Sequence, residues 1–224
     1  MTDPKSSGGP LRSFGRIKGR PVKPRQAALF DTLLPRLRVD LADPLADAAG
    51  RDVWLEIGFG GGEHLAAQAA RNPDILLIGA EPFQNGVASA LRHLDEQALT
   101  NVRLHAGDAR DLLSRLPDAS LARVFILFPD PWPKLRHHKR RLIQPETVAE
   151  FARTLRPGGH LRFATDWRDY AAWTLERLRS SPAFRWTARR ADDWRLAPAD
   201  HVPTRYEAKR LGDTPPIFLE FERP

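Results

Sequence analysis

The chain has 224 residues, a formal charge of +7 and an isoelectric point near 10.3, a length that suits one domain with a substantial core, with or without a tail. It contains no cysteine, which excludes disulfide scaffolds, thiolate zinc sites, iron–sulfur clusters and cysteine nucleophiles together and suits a reducing compartment. The longest apolar stretches are short, such as Ile75 to Ala80, and the N-terminus is polar, so a soluble cytoplasmic protein is expected rather than a membrane-spanning or secreted one.

Over the first 25 residues Lys5, Arg12, Arg16, Lys18, Arg20, Lys23 and Arg25 are opposed only by Asp3, giving an arm of charge +6. The arm is rich in Gly and Pro and poor in apolar residues, so residues 1–25 are expected to be disordered alone, either as a solubilising tail or as a nucleic-acid arm. From about Gln26 to Asp47 the residues Leu29, Phe30, Leu33, Leu34, Leu37 and Leu41 have the spacing of a half-buried helix, interrupted at Pro35. After Gly50 short β-rich runs alternate with helical ones. The predicted strands are Val53–Phe59, Ile75–Glu81, Val102–Asp108, Arg123–Phe128, His160–Thr165, Phe184–Ala188 and Ile217–Glu222. The predicted helices are Glu63–Arg71, Gly86–Ala98, Ala109–Leu116, Pro145–Leu155 and Trp167–Arg179, the fourth ending at the breaker Pro157-Gly158-Gly159. This alternation predicts an α/β fold, a mostly parallel seven-stranded sheet covered by helices on both faces, in a single domain over 26–224 without internal repeats.

Ligands of such sheets bind outside the carboxyl ends of the strands. Acidic residues collect there: Glu56 with Gly58-Phe59-Gly60-Gly61-Gly62 at the first strand, Glu81 at the second, Asp108 at the third, Asp130 at the fourth and Asp166 at the fifth. Any one of them has the simple reading of a helix cap, whereas five on one rim favour a site. The glycine loop brings backbone close to a ligand at a positive helix end. A dinucleotide fingerprint would require glycine at position 63, which is Glu63. An acid beside the loop repels a pyrophosphate but can pair with the ammonium of an amino acid, Glu81 has the spacing of a ribose-binding carboxylate, and Asp108 could accept from an adenine amino group. Together these features fit S-adenosylmethionine better than a nicotinamide dinucleotide.

Phe128-Pro129-Asp130-Pro131-Trp132-Pro133 is stiffened by three prolines and is expected to hold Asp130 at the mouth of the site. It continues into Lys134-Leu135-Arg136-His137-His138-Lys139-Arg140-Arg141, five cations in eight residues with no acid, an expected phosphate-binding surface beside the reacting centre. The rest of the chain, outside this run and the arm, sums to −4, so the basic charge is concentrated, as a polyanion partner would require. Thr204-Arg205-Tyr206-Glu207 mixes an aromatic ring, a carboxylate and a cation that could hold a nucleobase, although read alone it is a capping turn.

On L-E-I-G-F-G-G-G, G-A-E, F-P-D-P-W-P-K-L-R-H-H-K-R-R-L, A-T-D-W and T-R-Y-E, the chain resembles the bacterial tRNA (guanine-N7)-methyltransferases over about Gln26 to Phe221. The resemblance implies a Rossmann-like class I methyltransferase fold, S-adenosyl-L-methionine as cofactor, tRNA as partner and methylation of the guanosine at position 46 in the variable loop. It further implies that Glu56, Gly58, Gly60, Glu81, Asp108 and Asp130 bind the cofactor, with Asp130 also catalytic. Lys134, Asp166, Thr204, Arg205, Tyr206 and Glu207 match substrate-binding positions, and Arg136, His137, His138, Lys139, Arg140 and Arg141 the RNA-contact segment. Pro133 departs from the family, where a polar residue such as His is common, and the basic arm is longer than the fold requires. No metal or membrane is expected, and monomer and homodimer both fit. Guanine N7 carries a lone pair and no proton, so Asp130 would orient and complement charge rather than remove a proton, while Asp166 or Glu207 would bind the guanine edge. A nicotinamide-dependent reductase and a non-catalytic RNA-binding protein are the competing readings from other classes. Pro129-Asp130-Pro131-Trp132 also faintly resembles the N-P-P-Y loop of amino-group methyltransferases, so the acceptor atom rests on the family resemblance alone.

Overall fold

The computed structural model describes residues 15, 17, 19 and 21–224. The expected basic arm lies largely outside the described residues. Its last residues are already structured, because Pro24, with its φ preset and no N–H to lose, sits at the start of helix α1, Pro24–Thr32. The helix expected to reach Asp47 stops much sooner. After α2, Leu34–Leu37, the chain turns extended at Arg38, and Val39 N–H donates to Leu104 O at 3.0 Å. This bridge covers the outer edge of the sheet, which would otherwise leave its backbone groups open. Leu41 and Leu45 reach the core from turns rather than from a helix.

From there the elements alternate as β1 Val53–Ile57, α3 Glu63–Arg71, β2 Leu76–Ala80, α4 Gln84–Glu96, β3 Val102–His105, α5 Ala109–Leu113 and β4 Leu121–Leu127. A 3-10 helix at Leu135–Arg140, α6 Pro145–Thr154, β5 Leu155–Thr165, α7 Arg168–Ser180, β6 Arg185–Trp186, α8 Asp192–Arg195, a 3-10 turn at Glu207–Lys209 and β7 Ile217–Glu222 complete the described chain. The seven strands form one sheet in the order β3-β2-β1-β4-β5-β7-β6. Strands β1 to β5 are parallel, and β7 enters antiparallel between β5 and β6. The predicted mostly parallel sheet is therefore present, with its ends trimmed by one to three residues in most strands.

Pro157-Gly158-Gly159 does not separate helix from strand. Leu155 is already extended and pairs with Leu121, and the pairing then skips to Arg123 with His160, so the three residues form an irregularity inside β5. Arg223 secures it by exchanging backbone hydrogen bonds with Gly158 and Gly159, at 2.7 and 2.9 Å.

Both faces of the sheet are buried. Leu55, Ile57, Leu76, Ile78, Val124 and Ile126 pack with Leu112, Phe151 and Tyr170 on one side. On the other, Leu77 and Leu104 pack with Leu65, Val87 and Leu91. Each fully buried side chain of this kind contributes about 1.5–3 kcal/mol against the entropy of ordering the chain. The order reverses between β1 and β4, and a crevice opens there beyond the strand ends, as the topology of a doubly wound sheet dictates. Among the described residues no helix is long and apolar enough to cross a membrane.

Candidate active site

A cavity of about 690 Å³ occupies this crevice, within the size range of small-molecule sites. Its walls come from the turn after β1 (Gly58 to Gly61), Glu81 after β2, Asp108 after β3, Phe128 to Asp130 after β4, and the distant segment Thr204 to Tyr206.

The glycine turn has a physical reason at each end. Gly60 adopts φ 53°, and a Cβ built there would point into open space rather than into protein, leaving backbone free to approach a ligand. At Gly86 on α4 the constraint is space, since a Cβ would collide with the carbonyl oxygen of Gly60. The turn and α4 therefore fit only while position 86 has no side chain. Glu81 locks the same turn: its Oε2 accepts from Gly60 N–H at 2.9 Å and its Oε1 from Phe83 N–H at 2.8 Å. Burial raises the Glu81 carboxyl above its ordinary value, with those two hydrogen bonds opposing and the charges of Asp130 and Glu56 adding.

Asp130 is exposed at the cavity mouth, and desolvation by the surrounding walls raises its carboxyl. Its loop is bent at both ends: Phe128 has φ 51° and Trp132 φ 44°, conformations that cost of order 1–3 kcal/mol each in residues other than Gly. Phe128 N–H donates to Ala164 O at 2.7 Å, and the Phe128 ring lies 5.7 Å from that of Tyr206.

Other predicted site residues have partners of their own. Asp108 caps α5, accepting from Arg110 N–H, and a two-pronged contact from the Arg110 guanidinium at 2.9 and 2.6 Å holds both of its oxygens. Arg110 also lines the cavity and was not singled out in the sequence. Glu56 is buried behind the turn instead of lining it, 2.8 Å from His64 Nδ1. The Gln68 side-chain N–H₂ donates to the carbonyl of Asp200 and to His64 Nε2, so His64 carries its proton on Nδ1, toward Glu56. Glu207 accepts from Thr204 N–H at 2.8 Å, and both of its oxygens lie 3.0 Å from His201. Thr204 and Glu207 thus form the capping turn that the segment suggests when read alone. Arg205 reaches across the mouth to Glu63, 3.1 Å away, and Tyr206 faces the cavity, its phenol raised by burial and by the nearby charges of Asp166 and Asp130.

Asp166 lies beneath this segment rather than on the cavity wall. Its Oδ2 accepts from Gly212 N–H at 2.9 Å and its backbone carbonyl from Asp213 and Thr214, while Oδ1 is buried without a partner. Asp200, at the root of the segment, has a lowered carboxyl because Arg162 and Arg123 more than offset its burial.

The basic run divides three ways, as a helix of three residues per turn requires. Arg136 and Lys139 are exposed, as is Lys134 just before them. His137 and Arg140 turn toward Trp132, with the Arg140 guanidinium 4.9 Å from the indole centre. Partial desolvation and the cations Arg140, Arg136, Lys134 and Lys139 lower the His137 pKa. His138 and Arg141 point inward onto α7, beside Trp173 and Asp169. Arg141 is 1% exposed, which corrects its assignment to the RNA-contact surface: a guanidinium enclosed in protein cannot meet a phosphate. No metal-binding cluster occurs among the described residues.

A family model described as "Putative methyltransferase" matches residues 50–218. Proteins from Caulobacter vibrioides and Caulobacter sp. strain K31, each named tRNA (guanine-N(7)-)-methyltransferase, are 63% identical to the chain, with all of both chains covered. A protein of the same name from Hyphomonas neptunium is 50% identical over 94% of this chain and 99% of its own. The chain belongs to the tRNA (guanine-N(7)-)-methyltransferase family.

Solved structures share the fold. A 16S rRNA (adenine(1408)-N(1))-methyltransferase from Catenulisporales acidiphilia superposes with a TM-score of 0.57 at 20% identity, over 82% of this chain and 93% of that one. A variant of the same enzyme, crystallised with its cosubstrate SAM, gives 0.58 at 19% identity, over 82% and 91%. The [4+2]-cyclase SpnF shares the fold at a TM-score of 0.52 and 21% identity, over 82% and 80%. These likenesses define the methyltransferase fold and leave the chemistry to the site.

Proposed function

We propose that the protein transfers a methyl group from S-adenosyl-L-methionine to N7 of the guanosine at position 46 in the tRNA variable loop. The observation that carries this reading is one cavity with two unlike walls. One wall is a glycine turn fixed by a buried carboxylate. The other is a strained loop that presents Asp130 directly before an exposed cationic run. The names of relatives identical at 63% over their whole length support the acceptor base and the RNA class.

The cavity fits the cofactor. Gly60 leaves backbone room, the raised carboxyls of Glu81 and Asp130 suit a ligand that brings positive charge, and Glu81 keeps acceptor capacity for ribose hydroxyls beyond its two backbone bonds. When bound, the cofactor supplies a methyl group activated on a sulfonium. Gly58, Gly60 and Glu81 hold the donor against β1 and β2. Glu56 adds negative charge behind the turn for an ammonium, and Asp108 with Arg110 borders the adenine end.

On the acceptor side Tyr206 and Phe128 offer a stacking face, and Arg136, Lys139 and Arg140 hold phosphates, with Lys134 beside them. Asp130 orients the base and complements the positive charge that appears on the ring as N7 forms its bond to carbon. No side chain has to accept a proton, because N7 has none to lose. Glu207 is committed to His201 and Thr204, whereas Asp166 retains an oxygen without a partner. Of the two carboxylates only Asp166 therefore has acceptor capacity to spare for the N1–H and N2 edge of guanine, and because it is enclosed beneath the Thr204 to Tyr206 segment it meets the base only when that segment is displaced.

The test is incorporation of labelled methyl from S-adenosylmethionine into unmodified tRNA, with nucleoside analysis of the product. Label in 7-methylguanosine is expected. Label in a methylated adenosine, or none with either tRNA or other RNA, would overturn the reading.

A further inference from the structure

The last cation of the basic run, Arg141, is the one that leaves the surface. Its guanidinium lies between the rings of Tyr170 and Trp173, 4.8 and 4.9 Å from their centres. Nη2 pairs with Asp169, and Nε–H donates to the carbonyl oxygen of Pro131 at 2.9 Å. The frame around it is tied as well: Tyr170 Oη accepts from Leu142 N–H at 3.1 Å, and Trp173 Nε1–H donates to Ile143 O at 2.8 Å.

Pro131 follows Asp130 directly, in a loop where Pro129, Pro131 and Pro133 have no N–H to donate. Phe128 and Trp132, at the loop's two bends, sit at positive φ. Such a loop keeps its shape only where its surroundings over-determine it. Phe128 N–H fixes the entry to β5, and Arg141 fixes the exit to α7.

We propose that Arg141 is a positioning residue for methyl transfer, which clamps the Pro131 carbonyl and so holds the Asp130 carboxylate where the acceptor base must meet it. This inference rests on the role given to Asp130 above. It separates two jobs within one motif: Arg136, Lys139 and Arg140 engage RNA, and Arg141 builds the site behind them. A lysine in its place keeps the charge but loses the planar fork that reaches Pro131 and Asp169 at once.

The experiment compares single-turnover methyl transfer, at saturating donor and tRNA, in wild type, Arg141→Lys, Asp130→Asn and the double variant, with tRNA affinity measured as a function of salt. Arg141→Lys is expected to slow transfer about tenfold or more while leaving tRNA affinity within about twofold and its salt slope unchanged. In the Asp130→Asn background the same change is expected to add almost nothing, because the clamp acts through Asp130. Should Arg141→Lys not fold, Asp169→Ala removes the outer anchor and is expected to slow transfer several-fold at unchanged tRNA affinity. Full-speed transfer by Arg141→Lys, or by Asp169→Ala where that variant stands in, would overturn the proposal. So would losses that multiply in the double variant, or a flattened salt slope. Full-speed transfer by Asp130→Asn would overturn the Asp130 reading and the clamp with it. A slow Asp130→Asn beside a fast Arg141→Lys would overturn the clamp alone.

Discussion

The two walls of the cavity are built in different ways. The donor wall, at the ends of β1 and β2, is made of short-range features: a glycine turn, a carboxylate that bonds the backbone of that turn, and a helix packed too closely on it to bear a side chain at Gly86. The acceptor wall is made of segments brought from far apart. Asp130 follows β4, Arg141 ties its loop to α7, and Arg205 spans the mouth from beyond α8 to Glu63. A wall that is to bind a constant small molecule can be local, whereas one that is to receive a folded RNA is assembled from distant segments and needs long-range ties, such as that from Arg141 to Pro131, to fix its shape.

The comparison predicts different failures. Asp130→Ala should lower the single-turnover rate about a hundredfold to a thousandfold and tRNA affinity only slightly; equal losses in both would erase the division between holding RNA and promoting transfer. Gly86→Ala should weaken S-adenosylhomocysteine binding by tenfold or more, read by calorimetry, and cost about 1–3 kcal/mol in denaturant unfolding, because the new Cβ collides with the Gly60 carbonyl. On the other wall, Arg140→Ala should reduce the slope of log affinity against log salt by about 0.7–0.9, one phosphate contact, without changing S-adenosylhomocysteine affinity.

Smaller effects sharpen the contrast. Arg205 is largely exposed, so its contact with Glu63 is worth below about 1 kcal/mol, and Arg205→Ala should raise the KM for tRNA by no more than about fivefold. Glu81 provides a test by pH. With its folded pKa raised, the folded protein retains a proton that the unfolded chain releases, so wild-type stability falls as pH rises from the ordinary carboxylate value through the raised one. The melting temperature of Glu81→Gln relative to wild type should therefore climb across that window and level off above it. A difference independent of pH would show that Glu81 is not held protonated by burial.

The same contrast explains what could be read from the sequence. Glu63–Arg71 appeared with both ends correct, because the turn before it and the apolar spacing within it are local. Pro157-Gly158-Gly159 misled, since the pairing of Leu155 with Leu121 overrides the breaker. The end of the first helical region was missed because the bridge from Val39 to Leu104 spans 65 positions. In the site, Glu81 and Asp130 stood out by their place at strand ends. Arg110 next to Asp108 did not, although a cation two residues beyond a capping Asp can fold back on it. The different fates of Arg140 and Arg141 depend on the three-residue period of a helix not expected there and on Tyr170 and Trp173 of α7, so a charge count could not distinguish them.

The most direct test of the account is to methylate an unmodified tRNA with labelled donor, reduce it with borohydride and cleave it with aniline, which cuts the chain at 7-methylguanosine. A single cut at guanosine 46 in the variable loop is expected, appearing at the rate of label incorporation. Label incorporated without that cut, or a cut at another guanosine, would contradict the account.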